Sequence, residues 1–157
     1  MSEKIKNVFI SHAHEDDAEL GKLKDLVARH GLEIRDSSIR SENPNNASDE
    51  DYIKSGVLAP QIRWAGVTLV LVSREARNSS WVDWEINYAN KLDKHIVGVY
   101  ARGAGDDDIP PALDKYGDSM VPWDGKRIID AITGNTREWH SANGEPRSGR
   151  TIRRHGC

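Results

Sequence analysis

Short apolar segments alternate with amphipathic segments along most of the chain. Strands are predicted for NVFIS, LEIRDS, VTLVLVS, HIVGVYA and MVPW, and helices for EDDAELGKLKDLVARHG, SDEDYIKSGVLAPQIRWAG, SSWVDWEINYANKLDK and DGKRIIDAITG. Residues 67–72 and 96–100 are apolar almost throughout, which is typical of strands covered on both faces. The alternation predicts an α/β fold, a three-layer sandwich whose five-stranded parallel sheet has the order 2-1-3-4-5 and helices on both faces.

The length of 157 residues suits one domain with one substantial core. The alternating pattern stops after Gly134, so we expect a domain over residues 1–134 and a basic C-terminal extension over residues 135–157, attached through Trp139 if anywhere. Two polar, turn-rich segments, Arg40 to Ser48 and Arg102 to Pro111, predict surface loops.

One acidic residue falls on the apolar side of the third predicted helix. At about 100° per residue, the predicted buried face extends from about −60° to about 100° around Trp81 and contains Trp81, Val82, Trp84, Tyr88, Ala89 and Leu92. Glu85 falls at about 40°, inside this face. A carboxyl group among aromatic rings is poorly solvated, and its proton affinity rises. The position fits either a partnered core carboxylate or a catalytic group.

Composition and charge limit the class of protein. The net charge is −3, but residues 135–157 contain five arginines and only two glutamates, so the body is acidic and the tail basic. An acidic body argues against a nucleic-acid binder. The longest apolar run, VTLVLV, is too short to cross a membrane, and the first residues lack a run of signal-peptide length. The lack of such a run predicts a cytoplasmic protein, and the single cysteine, Cys157, excludes an internal disulfide.

Polar residues end the two strands that flank the predicted switch point of the sheet. Ligands of open parallel sheets bind beyond the carboxyl ends of the strands at this point. Ser11 and His12 follow the first strand, and Ser73 follows the third and leads into the helix that carries Glu85. We therefore expect these residues to surround one crevice, which Glu85 faces.

Three other kinds of site were considered on the same residues. The segment HAHED has the His-x-His-x-Asp spacing of some metal hydrolases at His12, His14 and Asp16, but Asp17 stands where that motif has another histidine, so we predict no metal. A phospho-receiver requires an aspartate where this chain has Ser73. Nucleotide-binding folds use a glycine-rich loop after the first strand, and SHAHEDD contains no glycine.

Two segments, NVFISHAHEDD and SSWVDWEINYA, together resemble the TIR domain, a flavodoxin-like fold. The amino-acid sequence of the third strand, third helix and fourth strand is similar to that of the TIR-like branch found in Thoeris antiphage systems. The resemblance covers roughly Lys4 to Gly134. Two motifs in the correct order, with the expected strand and helix between them, are more specific than either alone.

The resemblance implies an enzyme that consumes NAD⁺, cleaving the bond between nicotinamide and ribose to give ADP-ribose or a cyclic isomer. Glu85 matches the catalytic glutamate of the family, and Trp81 matches a tryptophan that stacks against the ligand. Phe9, Ser11 and His12 match the first-strand wall of the pocket. Departures from many family members are Val82 in place of cysteine and His12 in place of tyrosine.

The resemblance also implies partners. NAD⁺ is the substrate, no further cofactor is expected, and homotypic TIR association and a downstream effector that senses the product are anticipated. The alternative is a catalytically silent TIR scaffold that acts only by associating with other TIR domains. The presence of Glu85 favours the enzyme.

Overall fold

Five parallel strands form one sheet in the order β2-β1-β3-β4-β5. The strands are β1 (Lys4–Ser11), β2 (Leu32–Asp36), β3 (Val67–Val72), β4 (His95–Tyr100) and β5 (Ser119–Val121). The structure is a computed structural model, and it describes residues 4–13, 16, 18–36, 58–134 and 138–141. The predicted parallel sheet and its order are confirmed.

Helices cover both faces of the sheet. They are α1 (Glu19–Ala28), α2 (Ala59–Trp64), α3 (Arg74–Arg77), α4 (Ser80–Lys91), α5 (Pro111–Tyr116) and α6 (Gly125–Ile132), and a 3₁₀ turn spans Asp106–Asp108. The fold is the predicted three-layer, flavodoxin-like α/β sandwich. Within the described ranges, no helix is long and apolar enough to cross a membrane.

Alternate residues of the central strands supply two core layers. Phe9, Val70 and Val72 face the layer that contains side chains of α2, α4 and α5. Val8, Ile10, Leu69 and Leu71 face the layer beneath α1 and α6. Because side chains alternate across a strand, the next residue of β1 after Ile10 returns to the side of α4, and this residue is Ser11.

Side-chain caps and one glycine set the ends of the helices near the switch point. The hydroxyl of Ser79 accepts a hydrogen bond from the N–H of Val82 at 3.2 Å and begins α4. Ser73 caps α3 in the same way by accepting from the N–H of Ala76 at 3.0 Å. Gly31 has a φ of 96° and allows the turn between α1 and β2, as its position after the first helix predicts.

The segment predicted as a surface loop over Arg102 to Pro111 is more ordered than its composition indicates. It contains the 3₁₀ turn, and its last part is buried at Ile109 and Pro110. Pro111 then begins α5, a helix that the sequence did not predict. Proline suits the first helical position because it lacks the N–H that would be unpaired there. The segment Arg40 to Ser48 and the first ten residues of the second predicted helix lie outside the described residues.

A short piece of the C-terminal extension pairs with the edge strand β5. The N–H of Met120 donates to the carbonyl of Glu138 at 3.2 Å, and the N–H of His140 donates to the carbonyl of Met120 at 2.8 Å. Trp139 is buried, and its ring N–H donates to the carbonyl of Gly117 at 3.3 Å. Residues 138–141 are thus attached to the domain through Trp139.

Candidate active site

Glu85 and Ser11 form a buried hydrogen-bonded pair between α4 and the carboxyl end of β1. The hydroxyl of Ser11 donates to Oε1 of Glu85 at 2.6 Å. Ser11 is 0% exposed and Glu85 is 7% exposed. The inward orientation that the helical pattern predicts for Glu85 is therefore present, and its partner is a neutral hydroxyl.

Burial controls the ionisation of Glu85. Desolvation raises the pKa of this carboxyl group from 4.5 to about 8, and the hydrogen bond from Ser11 opposes the rise. Removing a carboxylate from water penalises its charged form, whereas a donor hydroxyl stabilises that form. At neutral pH the group is mostly protonated, and a nearby positive charge would favour its ionisation.

The buried face of α4 is shifted from the predicted arc toward Val82 and Ile86, away from the aromatic residues. Val82, Glu85, Ile86 and Ala89 are the buried residues of this helix. Trp81, Trp84, Tyr88 and Leu92 are only partly buried and pack against the edge of the core layer. The prediction included these four side chains in the buried face around Glu85, but the sheet contacts the adjacent side of the helix, so they lie at the edge of that face. Glu85 lies where the buried side meets the aromatic side.

The aromatic side of α4 leads from Glu85 toward α2. Trp81 precedes Glu85 by one helical turn and is half-buried. Trp84 and Tyr88 stack with ring centroids 5.1 Å apart and planes within 7°. Arg63 of α2 donates to the hydroxyl of Tyr88 at 2.7 Å. This surface is fixed by ring stacking and by a hydrogen bond to the neighbouring helix.

Phe9 and His12 lie on either side of Ser11 in the chain but in different environments. Phe9 is almost completely buried and packs in the same core layer as Val82 and Ile86. His12 follows the strand and is half-buried, with Nδ1 at 3.1 Å from the carbonyl of Ile10. Phe9 therefore supports the strand from within the core, while His12 lies at its carboxyl end.

Ser73 is paired with Asp16 and not with Glu85. Its hydroxyl donates to the Asp16 carboxylate at 2.5 Å. Both residues line an open cleft of about 510 Å³, together with Glu19, Arg74, Glu75, Ala101, Arg102, Gly103, Ala104 and Asp108. The lining of this cleft includes neither Ser11, His12 nor Glu85, so the structure does not show the expected single crevice but two pairs, Ser11–Glu85 beside α4 and Ser73–Asp16 at the cleft.

The histidine spacing considered for a metal is only partly described. His14 lies outside the described residues, and within the described ranges no three His, Cys, Asp or Glu side chains are grouped to hold a metal ion.

Two contacts at this edge of the sheet were missed by the sequence reasoning. Asp16 was considered only as a metal ligand, although its place shortly after the first strand puts it at the same edge as Ser73. The hydroxyl of Tyr100, at the end of β4, lies 2.7 Å from Oδ1 of Asp106 and 3.1 Å from the carbonyl oxygen of His140, so its one proton has two acceptors within reach. The position of Tyr100 at a strand end was the available signal for the second contact.

Comparisons with known proteins agree with this architecture. The sequence model of a family described as Thoeris protein ThsB, TIR-like domain, matches residues 9–106, which is more than half of the chain. The crystal structure of a conserved protein from Enterococcus faecalis V583 superposes with a TM-score of 0.56 at 12% identity, covering 84% of this chain and 99% of that one, and at this identity it supports the fold alone. A search of curated proteins finds no match. The matched range contains both the Ser11–Glu85 pair and the Ser73–Asp16 pair. Because the match covers more than half of the chain, the chain belongs to the TIR-like domain family of the Thoeris antiphage-defence protein ThsB.

Proposed function

We propose that the protein consumes NAD⁺ by cleaving the bond between nicotinamide and ribose, with release of ADP-ribose or closure to a cyclic isomer. The observation that carries this proposal is the buried carboxyl group of Glu85 at the carboxyl edge of the sheet. It stands on α4, at the position that the TIR resemblance gives to the catalytic glutamate. The reaction would serve a signalling role in antiphage defence, in the cytoplasm.

The chemistry requires a negative group beside the ribose. Nicotinamide leaves NAD⁺ as a neutral molecule, so positive charge develops on the ribose ring and no acid is needed for the leaving group. A preorganised carboxylate stabilises this charge in the transition state more strongly than water does, because the site has a low dielectric constant. Glu85 projects from α4 and is held by the Ser11 hydroxyl at the end of β1, so its carboxylate is preorganised to act as this negative group.

The raised pKa of Glu85 gives the proposed reaction a defined pH dependence. With a pKa of about 8 the free enzyme holds Glu85 mostly protonated at neutral pH. The positive charge of the bound nicotinamide ring favours the carboxylate and lowers this pKa in the complex. The acid limb of kcat/KM, which reports the free enzyme, should therefore lie near pH 8, and the acid limb of kcat should lie at lower pH.

Of the other predicted site residues, Trp81, His12 and Ser73 are proposed as contacts for the substrate. Trp81 provides a half-buried aromatic surface one turn from Glu85, suited to stacking against a planar ring. His12 lies at the end of β1 and Ser73 lines the cleft beside α3, whereas Ser11 and Phe9 are buried and support the end of β1 from inside the fold. No further cofactor is proposed.

Homotypic association is proposed as the condition for full activity, with a separate effector sensing the product. If association completes the pocket, the specific activity of the purified protein rises with its concentration. Incubation of concentrated protein with NAD⁺, followed by chromatography of nicotinamide and the adenine-containing products, tests the reaction and its dependence together. If the parent protein consumes no NAD⁺ at any concentration, the scaffold reading replaces the enzyme.

A further inference from the structure

Ser11 was expected to contact the substrate, but its contacts support a different role. Its hydroxyl donates to Oε1 of Glu85 at 2.6 Å, and Ser11 is completely inaccessible to solvent. A buried hydroxyl whose proton is already committed to a carboxyl oxygen is poorly placed to donate to a sugar or a phosphate. Glu85 is therefore the group on which Ser11 acts.

The position of Ser11 is fixed by the sheet. It ends β1, which lies between β2 and β3, and it is in register with Val70 of β3. Its preceding neighbours on the same strand, Phe9 and Ile10, are buried in opposite core layers. The hydroxyl is thus presented to Glu85 by a strand that cannot shift without disturbing both layers of the core.

We propose that Ser11 is the positioning residue that holds Glu85 in one orientation and keeps it able to ionise inside the apolar site. The proposal rests on the catalytic role proposed for Glu85. Oε1 accepts from the Ser11 hydroxyl both when Glu85 is a carboxylate and when the proton resides on Oε2. Ionisation then requires only that the O–H bond at Oε2 breaks and the proton passes to water, while the Ser11 contact is retained.

Among the described residues, no other charged group near α4 contributes to the shift in the ionisation of Glu85. His12 at the end of β1 lies next to Ile10 O, Arg63 of α2 donates to Tyr88, and Tyr100 of β4 donates to Asp106. The ionisable residues of α3 and α5 that are exposed to solvent are Arg74, Glu75, Arg77, Asp114 and Lys115. Burial and the Ser11 hydroxyl are the two causes that act on the pKa of this carboxyl group.

The test uses two variants that match in shape and differ in the hydroxyl. Ser11→Thr keeps the donor hydroxyl, whereas the valine of Ser11→Val has nearly the same volume as threonine and no hydroxyl. Thr68→Val is the control for loss of a buried hydroxyl elsewhere, because Thr68 lies on β3 and its hydroxyl has no hydrogen-bond partner among the described residues. Ser11→Ala repeats the measurement with a smaller side chain in case Val is not accommodated.

The first measurement needs no substrate. The ¹³C signal of the Glu85 carboxyl group is titrated by NMR in each protein and assigned by its loss in Glu85→Gln. A hydrogen bond to a charged group has a strength equivalent to about one to two pH units, so the midpoint in Ser11→Val should move up by that amount. Ser11→Thr and Thr68→Val should titrate like the parent. Equal midpoints in Ser11→Val, Ser11→Ala and the parent would overturn the proposal.

The second measurement is the pH profile of kcat/KM for NAD⁺. At pH 7, Ser11→Val should lose about 10- to 100-fold, and the deficit should shrink as the pH rises and Glu85 ionises. A loss that is constant at every pH would show that Ser11 contacts substrate, and would also overturn the proposal. If the NMR midpoint moves but no protein in the series consumes NAD⁺, the effect of Ser11 on Glu85 stands and the proposed reaction fails.

Discussion

Replacing Glu85 with glutamine should stabilise the protein at neutral and alkaline pH. The unfolded chain loses the Glu85 proton near pH 4.5, whereas the folded protein keeps it until about pH 8, so the stability of the parent falls as the pH rises through this window. Each pH unit between the two pKa values corresponds to about 1.4 kcal/mol, which puts the cost of ionising Glu85 in the folded protein on the order of 5 kcal/mol. Glutamine keeps the shape and can still accept from Ser11, but never ionises.

The size of the expected gain follows from what glutamine retains. Burying the glutamine amide also costs free energy, which offsets part of what is gained by removing the charge. We therefore expect the free energy of unfolding of Glu85→Gln to exceed that of the parent by about 2 to 4 kcal/mol at pH 8 and by close to nothing at pH 4.5. In a chain of this length the gain raises the melting temperature by roughly 5 to 15 °C. Urea denaturation of both proteins at several pH values measures the difference directly.

The same variant should nevertheless be a poor enzyme. Loss of one electrostatic stabiliser of a transition state reduces the rate by about 10² or more, and here the lost charge is the central one. Glu85→Asp is the matched control, because it keeps the charge and shortens its reach toward Ser11. The product assay follows nicotinamide release from NAD⁺ by chromatography on concentrated protein.

Two results would refute this reasoning about Glu85. A glutamine variant that is less stable than the parent at pH 8 would indicate that the carboxylate is held by an ion pair in the core. A stable Glu85→Gln protein that consumes NAD⁺ at the parent's rate would remove Glu85 from the reaction. Because one result concerns stability and the other turnover, each can occur without the other.

The remaining predictions concern the surroundings of the pair. Trp81→Ala should reduce turnover strongly or change the product. Its loss of stability should be below the roughly 3 to 5 kcal/mol of a fully buried ring, since Trp81 is only half-buried. The control Trp84→Ala, on the same helix and similarly exposed, should lose comparable stability and retain turnover, and equal turnover in both variants would contradict a role for Trp81. Thr68→Val should raise the free energy of unfolding by about 1 kcal/mol, because a methyl group of similar size replaces a buried hydroxyl that has no partner among the described residues. A midpoint of urea unfolding lower than that of the parent would contradict this and indicate that the Thr68 hydroxyl makes a stabilising hydrogen bond. Specific activity should increase with protein concentration, as a dilution series will show; a monomer with constant specific activity would exclude association as the condition for catalysis.

The long elements of the fold could be predicted because each carries a complete pattern. Val67 to Val72 and Ile96 to Tyr100 are apolar almost throughout, and helices cover both faces of the sheet at these strands. The elements that were missed, α3 and α5, have four and six residues and contain too few turns to display a helical period. What defines them is a serine cap and a proline at the first helical position, signals that also occur in loops.

The site could be predicted in part. The helical spacing of α4 indicated that Glu85 points inward, and the strand-end rule placed Ser11 and Ser73 at the same edge of the sheet. The predicted face had the wrong extent, because it included the large aromatic rings, which are only partly buried, and omitted Ile86, which is buried. Hydrogen-bond partners are set by distances between elements far apart in the chain, so neither the pairing of Glu85 with Ser11 nor that of Ser73 with Asp16 could be derived from spacing.

The segment that pairs with β5 affects how copies of this protein can assemble. A free edge strand is a template onto which another chain can add, and this is a common route to open-ended aggregation. At β5 the backbone groups of Met120 already bond to residues 138–141, and the buried ring of Trp139 holds that segment in place. A second copy could extend the sheet here only after displacing Trp139 and exposing it to water. Direct pairing of a second copy with Met120 is therefore blocked while residues 138–141 stay in place.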